Sequence, residues 1–226
     1  MLTKLERDGF TCVESIFTTA QISKILEFLD KNEVNQEFGI RNFIPQYPEL
    51  KGLIFTTKLI ELVSHFSKDY YVIKSIYFDK PPNTNWIVNW HQDLTINVAN
   101  KIEHEDFVNW RVVKDRTVVQ PPVYMLDQIL TIRIHLDDCT AQNGALRVIP
   151  GSHKEGVIPI HQNPDFSSGD YHLCEVNKGG VLIMRPLILH ASRRTENLKN
   201  RRVIHIELTD TALPEGLEWN EAFHFN

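Results

Sequence analysis

The first 70 residues carry apolar positions at helical spacing. One set is separated by three or four residues, which places its members on a single helix face: Ile22, Ile25, Leu26 and Leu29. Thr18 or Thr19 can cap this helix, which we expect to end near Lys31. A second set with the same spacing predicts another helix over residues 57–67: Leu59, Leu62, Val63 and Phe66. Residues 2–17 lack this spacing, and we expect a short approach segment there.

After Tyr70 the pattern changes to short β-branched and aromatic runs separated by turn residues such as Asn143-Gly144. These runs predict strands over residues 71–78, 86–93, 130–136, 145–149, 181–184, 187–190 and 202–209. Residues 97–122 are expected to be irregular. Helices followed by short strands predict a mostly β protein, a sandwich or barrel with the N-terminal helices packed on one sheet. We expect one domain over residues 1–226, with a mainly helical layer over 1–70 and a β core over 71–226.

Composition narrows the class of protein. The chain is 42% hydrophobic and 23% charged, which excludes disorder as the main state. Its net charge of −5 gives no reason to expect nucleic acid as the main partner. The three cysteines, Cys12, Cys139 and Cys174, show no CxxC spacing, which argues against a disulfide framework or a structural zinc site. Because signal and membrane-spanning patterns are also missing, we expect a cytoplasmic protein that does not bind membranes.

The candidate chemistry begins in the predicted strand over residues 86–93. Side chains alternate along a strand, so His91 and Asp93 project from the same face. His190, at the end of the predicted strand over 187–190, could supply a third ligand. Two histidines and one carboxylate leave positions open on a metal ion, an arrangement typical of non-heme Fe(II) oxygenases.

Spacing alone leaves the choice of metal pair open. The chain has 10 histidines, and His135-Leu136-Asp137 and His205-Ile206-Glu207 repeat the spacing of the first pair. In the simpler interpretation, His135 is a strand residue and Asp137 starts a turn. His205 and Glu207 would then form a polar strand face.

Four blocks of sequence resemble the phytanoyl-CoA dioxygenase family in order and separation. They are residues 90–93, 143–153, 184–192 and 201–202, and the most specific is the N-G-x-L-x-x-x-P-G-S-H stretch over 143–153. The resemblance implies a double-stranded β-helix, also called a jelly-roll or cupin-like fold. It also implies that the protein uses Fe(II), 2-oxoglutarate and O2.

The resemblance assigns roles to five residues. His91, Asp93 and His190 match the iron ligands of the family. Arg201 lies eleven positions after His190 and matches the basic residue that binds the distal carboxylate of 2-oxoglutarate. A guanidinium suits this role because it can meet a carboxylate with two parallel hydrogen bonds. Ser192 matches a hydroxyl that assists the same carboxylate.

Alternation along the last strand gives a separate argument for Arg201. The polar set on one face is Arg201, Val203, His205 and Glu207, and the opposite face carries Arg202, Ile204, Ile206 and Leu208. The apolar set is expected to lie under the N-terminal helices. The polar set would then face the cavity, which favours Arg201 over Arg202.

The resemblance implies an Fe(II)- and 2-oxoglutarate-dependent dioxygenase that hydroxylates a small molecule and releases succinate and CO2. Asp93 disfavours halogenation, since the halogenating relatives lack the carboxylate ligand. Two alternatives remain: a non-catalytic cupin-like metal- or ligand-binding module, and a β-helix enzyme that uses another metal for isomerisation or hydrolysis. The sequence does not identify the substrate.

Several polar and aromatic residues have roles that the sequence leaves open. Trp110 and Lys114 lie in a long segment that could close over the site, and for Trp110 a packing role is favoured over a wall of the co-substrate pocket. Arg133 could contact substrate or pair with an acidic residue inside the barrel. Arg185 is equally open, and His153 is expected to form a structural hydrogen bond.

Overall fold

The structure is a computed structural model that describes residues 1–34, 39–80, 87–159, 170–197 and 199–225. In these ranges six α-helices occur: α1 (Leu2–Asp8), α2 (Thr19–Lys31), α3 (Phe43–Gln46), α4 (Lys51–Ile54), α5 (Thr57–Ser64) and α6 (Val123–Asp127). Short 3₁₀ helices lie at Pro48–Leu50, Ala141–Asn143 and Ser152–Glu155. The strands are β1 (Phe10–Val13), β2 (Gly39–Arg41), β3 (Tyr71–Lys80), β4 (Val88–His91), β5 (Ile96–Val98), β6 (Val108–Val113), β7 (Arg116–Gln120), β8 (Leu130–His135), β9 (Leu146–Val148), β10 (His172–Cys174), β11 (Val181–Met184), β12 (His190–Ser192) and β13 (Arg201–Thr209).

Antiparallel sheets form the body of the molecule. The largest has six strands in the order β1-β11-β8-β13-β3-β2, and a second has four in the order β10-β9-β12-β4. A third sheet of three strands has the order β5-β7-β6. This arrangement confirms the prediction of a mostly β protein, a double-stranded β-helix of the cupin-like jelly-roll type.

The N-terminal helices cover the outer face of the six-stranded sheet. Helix α2 begins as predicted, because Thr18 Oγ1 accepts a hydrogen bond from the Gln21 amide and the Gln21 side chain accepts one from the Thr18 amide. Its buried residues join a core that includes alternate residues of β13: Ile204, Ile206 and Leu208. The predicted orientation of the last strand is therefore confirmed. Helix α5 ends at Ser64, earlier than the predicted residue 67.

The structure corrects the interpretation of two segments. Residues 2–17 are not a simple approach segment, since they contain α1 and also β1, which pairs with β11 at the edge of the large sheet. Residues 97–122 are not irregular, since they contain most of the three-stranded sheet. The β6–β7 hairpin turns through Lys114 and Asp115, which have φ of 48° and 62°, the backbone of a tight two-residue turn.

Two predicted strands also change at their ends. The strand predicted over 187–190 begins only at His190, because residues 187–189 lie in the turn that precedes it. The strand predicted over 86–93 is formed over Val88–His91, and residue 86 lies outside the described residues. Among the described residues, none of the helices combines the length and apolar character needed to cross a membrane. The three cysteines are free thiols.

Candidate active site

Neighbouring strands of the four-stranded sheet bring the three predicted metal ligands together. His91 ends β4, His190 begins β12, and the two residues are direct partners in the pairing of these strands. Asp93 follows two residues after His91, and its amide donates to Pro186 O at 2.9 Å. The buried Gln92 between them donates to Leu187 O at 2.6 Å. This contact ties the ligand-bearing loop to the turn that leads into His190.

Backbone carbonyls fix the tautomer of both histidines. Nδ1 of His91 lies 2.8 Å from Asn89 O, and Nδ1 of His190 lies 2.9 Å from Ile188 O. Because a carbonyl only accepts, each Nδ1 carries the proton and each Nε2 keeps a free lone pair. The two Nε2 atoms lie 3.9 Å and 3.7 Å from opposite oxygens of Asp93. The three ligand atoms therefore converge at a spacing that one metal ion can bridge.

The charges of these groups also suit a cation. Burial lowers the pKa of His190 to about 4, so this imidazole is neutral near pH 7 and its Nε2 can donate a lone pair. Burial opposes ionisation of Asp93. The neighbouring His190, His205 and His91 outweigh it and hold the pKa of Asp93 well below its usual range. The site thus offers a neutral imidazole at His190 and an ionised carboxylate at Asp93.

A second group with similar residue types shares Asp93 but cannot bind a metal in this arrangement. It consists of Asp93, His205 and Glu207, whose ligand atoms also lie within 4.8 Å of one another. The Arg133 guanidinium, which only donates, lies 3.0 Å from His205 Nδ1. His205 Nε2 must then donate to Glu207 Oε1, at 3.1 Å. Both ring nitrogens are engaged, so His205 has no lone pair for a metal.

Glu207 is held in turn by Lys74, whose Nζ lies 2.7 Å from the carboxylate. His205 and Glu207 therefore belong to a buried polar network on β13, which agrees with the simpler interpretation of this pair as a polar strand face. The pair of His135 and Asp137 also has structural roles. Asp137 binds the Arg202 guanidinium at 2.8 Å, and His135 is a buried residue at the end of β8.

A cavity of about 340 Å³ opens in front of the candidate ligands. Arg201 and Ser192 both line it and are both buried. One Arg201 terminal nitrogen donates to Gly144 O at 2.8 Å, whereas Nε has no partner among the described residues. A buried guanidinium N–H without an acceptor is costly, so an anionic guest fits this position. Ser192 and Arg201 therefore lie on the wall of the same cavity.

Gly144 explains part of the specific sequence block over 143–153. Its φ is +78°, and a Cβ at this position would lie 2.6 Å from Arg193 O. The preceding Asn143 fixes the turn, because its side chain accepts from the Thr140 amide and donates to Asp138 O, each at 2.6 Å. The turn therefore presents the Gly144 carbonyl to Arg201.

The structure defines contacts for the residues whose roles the sequence left open. Trp110 is a packing residue of β6, and its indole N–H donates to Phe107 O at 2.8 Å. Arg133 lines the cavity and pairs with His205 rather than with an acidic residue. Arg185 donates to Asp127 O at 3.0 Å, and His153 Nε2 lies 3.2 Å from Glu6 O.

Sequence reasoning missed the cationic lining contributed by β3. Lys74 and Lys80 project into the cavity from this strand and are almost fully buried. Lysine is rarely buried, so two lysines on one face of an apolar strand were a usable signal. The Arg41, Arg111 and Arg116 side chains, which also line the cavity, were missed as well.

Fold and side chains together define a class of protein: a cupin-like jelly-roll in which two histidines and one carboxylate converge beside a cavity lined by basic residues. Residues 5–203 match the family model described as phytanoyl-CoA dioxygenase (PhyH). The chain belongs to this family, as the resemblance predicted.

Curated relatives and solved structures give further points of comparison. The chain is 20% identical over 193 residues to the phytanoyl-CoA dioxygenase domain-containing protein 1 homolog of Caenorhabditis briggsae, covering 77% of this chain and 58% of that protein. It is 23% identical over 177 residues to a probable alpha-ketoglutarate-dependent hypophosphite dioxygenase of Stutzerimonas stutzeri, covering 69% and 53%. The chain thus spans just over half the length of these two relatives.

A solved structure shows the same fold. The epimerase SnoN in complex with Fe3+, alpha ketoglutarate and nogalamycin RO superimposes with a TM-score of 0.68 at 11% identity, covering 92% of this chain and 81% of that one.

Proposed function

We propose that this protein is an Fe(II)- and 2-oxoglutarate-dependent oxygenase that hydroxylates a small molecule. One observation carries the proposal: the ligand atoms of His91, Asp93 and His190 lie within 4.8 Å of one another. The cavity lined by His91 and Asp93 is also lined by Arg201, whose Nε has no partner among the described residues. The three ligands suit a metal ion that must keep open positions, and Arg201 suits the distal carboxylate of a 2-oxo diacid.

When bound, Fe(II) supplies the redox chemistry by which substrate, 2-oxoglutarate and O2 give hydroxylated substrate, succinate and CO2. The protein holds the metal ligands and the co-substrate in position. The Asn89 and Ile188 carbonyls orient the two imidazoles, and Gln92 holds the segment that carries Asp93. Gly144 aims Arg201 at the co-substrate. Apolar cavity residues such as Val88 and Leu146 limit access of water.

The three free cysteines support a further proposal, that the protein works in a reducing compartment such as the cytoplasm.

A titration with matched variants tests the metal site. Purified protein is titrated with Fe(II) and 2-oxoglutarate without oxygen, and the weak visible absorption of the chelated 2-oxo acid is recorded. We expect the band in the unchanged protein and in His205→Ala, and its loss in His190→Ala and Asp93→Ala. Circular dichroism and thermal unfolding show that each variant is folded.

The same titration can overturn the proposal. Folded unchanged protein that gives no band and binds no 2-oxoglutarate would leave a binding module of the same fold as the better interpretation. Loss of the band in His205→Ala with retention in His190→Ala would assign the metal to the second group. Mass spectrometry that monitors both succinate release and hydroxylation of the substrate separates a hydroxylase from an epimerase.

A further inference from the structure

The cavity carries more positive charge than a metal and 2-oxoglutarate need. Among the described residues, seven cationic side chains line it: Arg41, Lys74, Lys80, Arg111, Arg116, Arg133 and Arg201. The lining carboxylates in the same ranges are Asp93 and Glu207. Glu207 is neutralised by Lys74. A divalent metal, Asp93 and a doubly charged co-substrate sum to one negative charge, which Arg201 balances. Lys80 donates to Arg193 O and is set aside. Four arginines then remain in a chain whose net charge is −5.

Two of the remaining cations lie on one face of the β6–β7 hairpin. Arg111 is paired directly with Val118, and Val113 is paired directly with Arg116. All four side chains line the cavity, so this face presents two arginines on one diagonal and two valines on the other. The tight turn at Lys114 and Asp115 fixes this register.

A third arginine reaches the same opening from the large sheet. Arg41 is paired with Ile76, and both residues line the cavity. Burial lowers the pKa of Arg116, and the nearby Arg41 guanidinium lowers it further, which places the two like charges close together. Within the described residues, none of these three arginines forms a salt bridge with a carboxylate.

We infer that Arg41, Arg111 and Arg116 form a subsite for an anionic group of the substrate, a carboxylate or a phosphate. The inference rests on the proposed function and names the substrate class: a small organic acid or phosphate ester. Guanidinium groups bind both anions through paired hydrogen bonds. The adjacent Val113 and Val118 side chains contact the apolar part of the substrate, which extends toward the candidate metal site.

Binding of small probes tests this subsite. The protein is first saturated with Mn²⁺ and 2-oxoglutarate without oxygen, so that Arg201 is occupied. Phenyl phosphate, benzoate and uncharged phenol are then titrated by calorimetry. We expect at least one of the two anions to bind at least tenfold more tightly than phenol, a difference of about 1.4 kcal/mol. The preference is expected to weaken as salt is added.

Substitutions locate the probe. Arg41→Gln, Arg111→Gln and Arg116→Gln are each expected to weaken anion binding at least fivefold without changing phenol binding. Arg7→Gln is the matched control, since Arg7 is exposed and pairs with Asp8 outside the cavity. Equal binding of anions and phenol, or unchanged anion binding in all three variants, overturns the inference. Another result would also overturn it: neither small anion binds, a single-stranded oligonucleotide binds tightly, and the same three variants abolish the oligonucleotide binding.

Binding of 2-oxoglutarate in the same proteins separates the two proposals. If 2-oxoglutarate binds and the probes show no charge preference, the subsite is wrong and the oxygenase proposal stands. If 2-oxoglutarate does not bind but the three variants weaken anion binding, the anion subsite stands and the oxygenase proposal fails.

Discussion

The two faces of the six-stranded sheet are formed by the same strands but differ in chemistry. One face packs under the helices, and the other lines the cavity. Along β13, Ile204, Ile206 and Leu208 pack under the helices, while His205 and Glu207 face the cavity. The apolar face gains stability from buried area. The cavity face pairs some of its charges, such as Glu207 with Lys74, and carries further cations. Substitutions on the two faces should therefore separate folding from ligand binding.

The largest effect is expected on the helix-covered face. Ile204→Ala removes fully buried side-chain atoms from the core and should lower the free energy of unfolding by about 3 kcal/mol. Urea unfolding measures this loss, and 2-oxoglutarate binding should be unchanged at low temperature. Ile87→Ala is the control, because Ile87 is 55% exposed and its loss should cost less than about 0.5 kcal/mol. Equal effects at the two positions would contradict the comparison.

A carboxyl group on the same covered face should make stability depend on pH. Glu221 accepts hydrogen bonds from the Ser75 amide and hydroxyl, and burial raises its pKa to about 7. Since an unfolded glutamate titrates near 4.5, the folded protein binds the proton more tightly. This contribution is complete below pH 4.5 and is lost as pH rises through 7. It should amount to about 2 to 3 kcal/mol between pH 5 and pH 8.

Urea unfolding at the two pH values checks this expectation in the unchanged protein and in Glu221→Gln. The variant should lose most of the difference. Some slope in the same direction should remain, because burial also raises the pKa of Asp79 to about 6. An equally steep dependence in Glu221→Gln would show that other groups cause it.

Arg201 and Arg202 are adjacent on β13 and lie on opposite faces of the sheet. Substituting each in turn therefore compares the two faces at one point along the strand. Arg201→Gln should weaken 2-oxoglutarate binding tenfold to hundredfold, about 1.4 to 2.8 kcal/mol, because the charged partner of the distal carboxylate is lost. Arg202→Gln should leave this affinity unchanged, since Arg202 binds Asp137 instead. Calorimetric titration with 2-oxoglutarate measures both. A loss confined to Arg202→Gln would contradict the assignment.

The smallest effect is expected at the start of α2. Thr18→Ala removes the hydroxyl that accepts from the Gln21 amide and should cost about 1 kcal/mol of stability. Urea unfolding measures this cost, and 2-oxoglutarate affinity should not change. A change in that affinity would show that the helical layer and the cavity are coupled.

The sequence predicted those parts of the fold in which local signals agree with the tertiary structure. Helix α2 combined a regular apolar spacing with a capping pair, and both appear in the structure. Helix α1 was missed because it is seven residues long and buries a single side chain, Leu5. The β6–β7 hairpin was missed because its turn uses Lys114 and Asp115 where glycine or asparagine is usual, and because β6 is mostly exposed.

The residues of the candidate site could be predicted from the sequence, but the contacts around them could not. Alternation and resemblance together selected His91, Asp93 and His190, and the structure brings them together. They could not reveal that Arg133 and Glu207 occupy both nitrogens of His205, because these contacts join residues that are distant in sequence or depend on side-chain direction. The three arginines at the cavity opening come from β2, β6 and β7, none of which was predicted as a strand.

The β6–β7 hairpin offers a simple route to a changed cavity lining. The candidate metal ligands lie on β4, on β12 and in the loop after β4, so the hairpin can change while these residues are preserved. Moving β6 by a single residue against β7 would turn Arg111 and Val113 away from the cavity and bring their neighbours in. In evolutionary terms, one insertion in a short loop can exchange the residues with which one strand of this hairpin lines the cavity. Directed evolution of this protein would therefore begin most productively at the length of that loop.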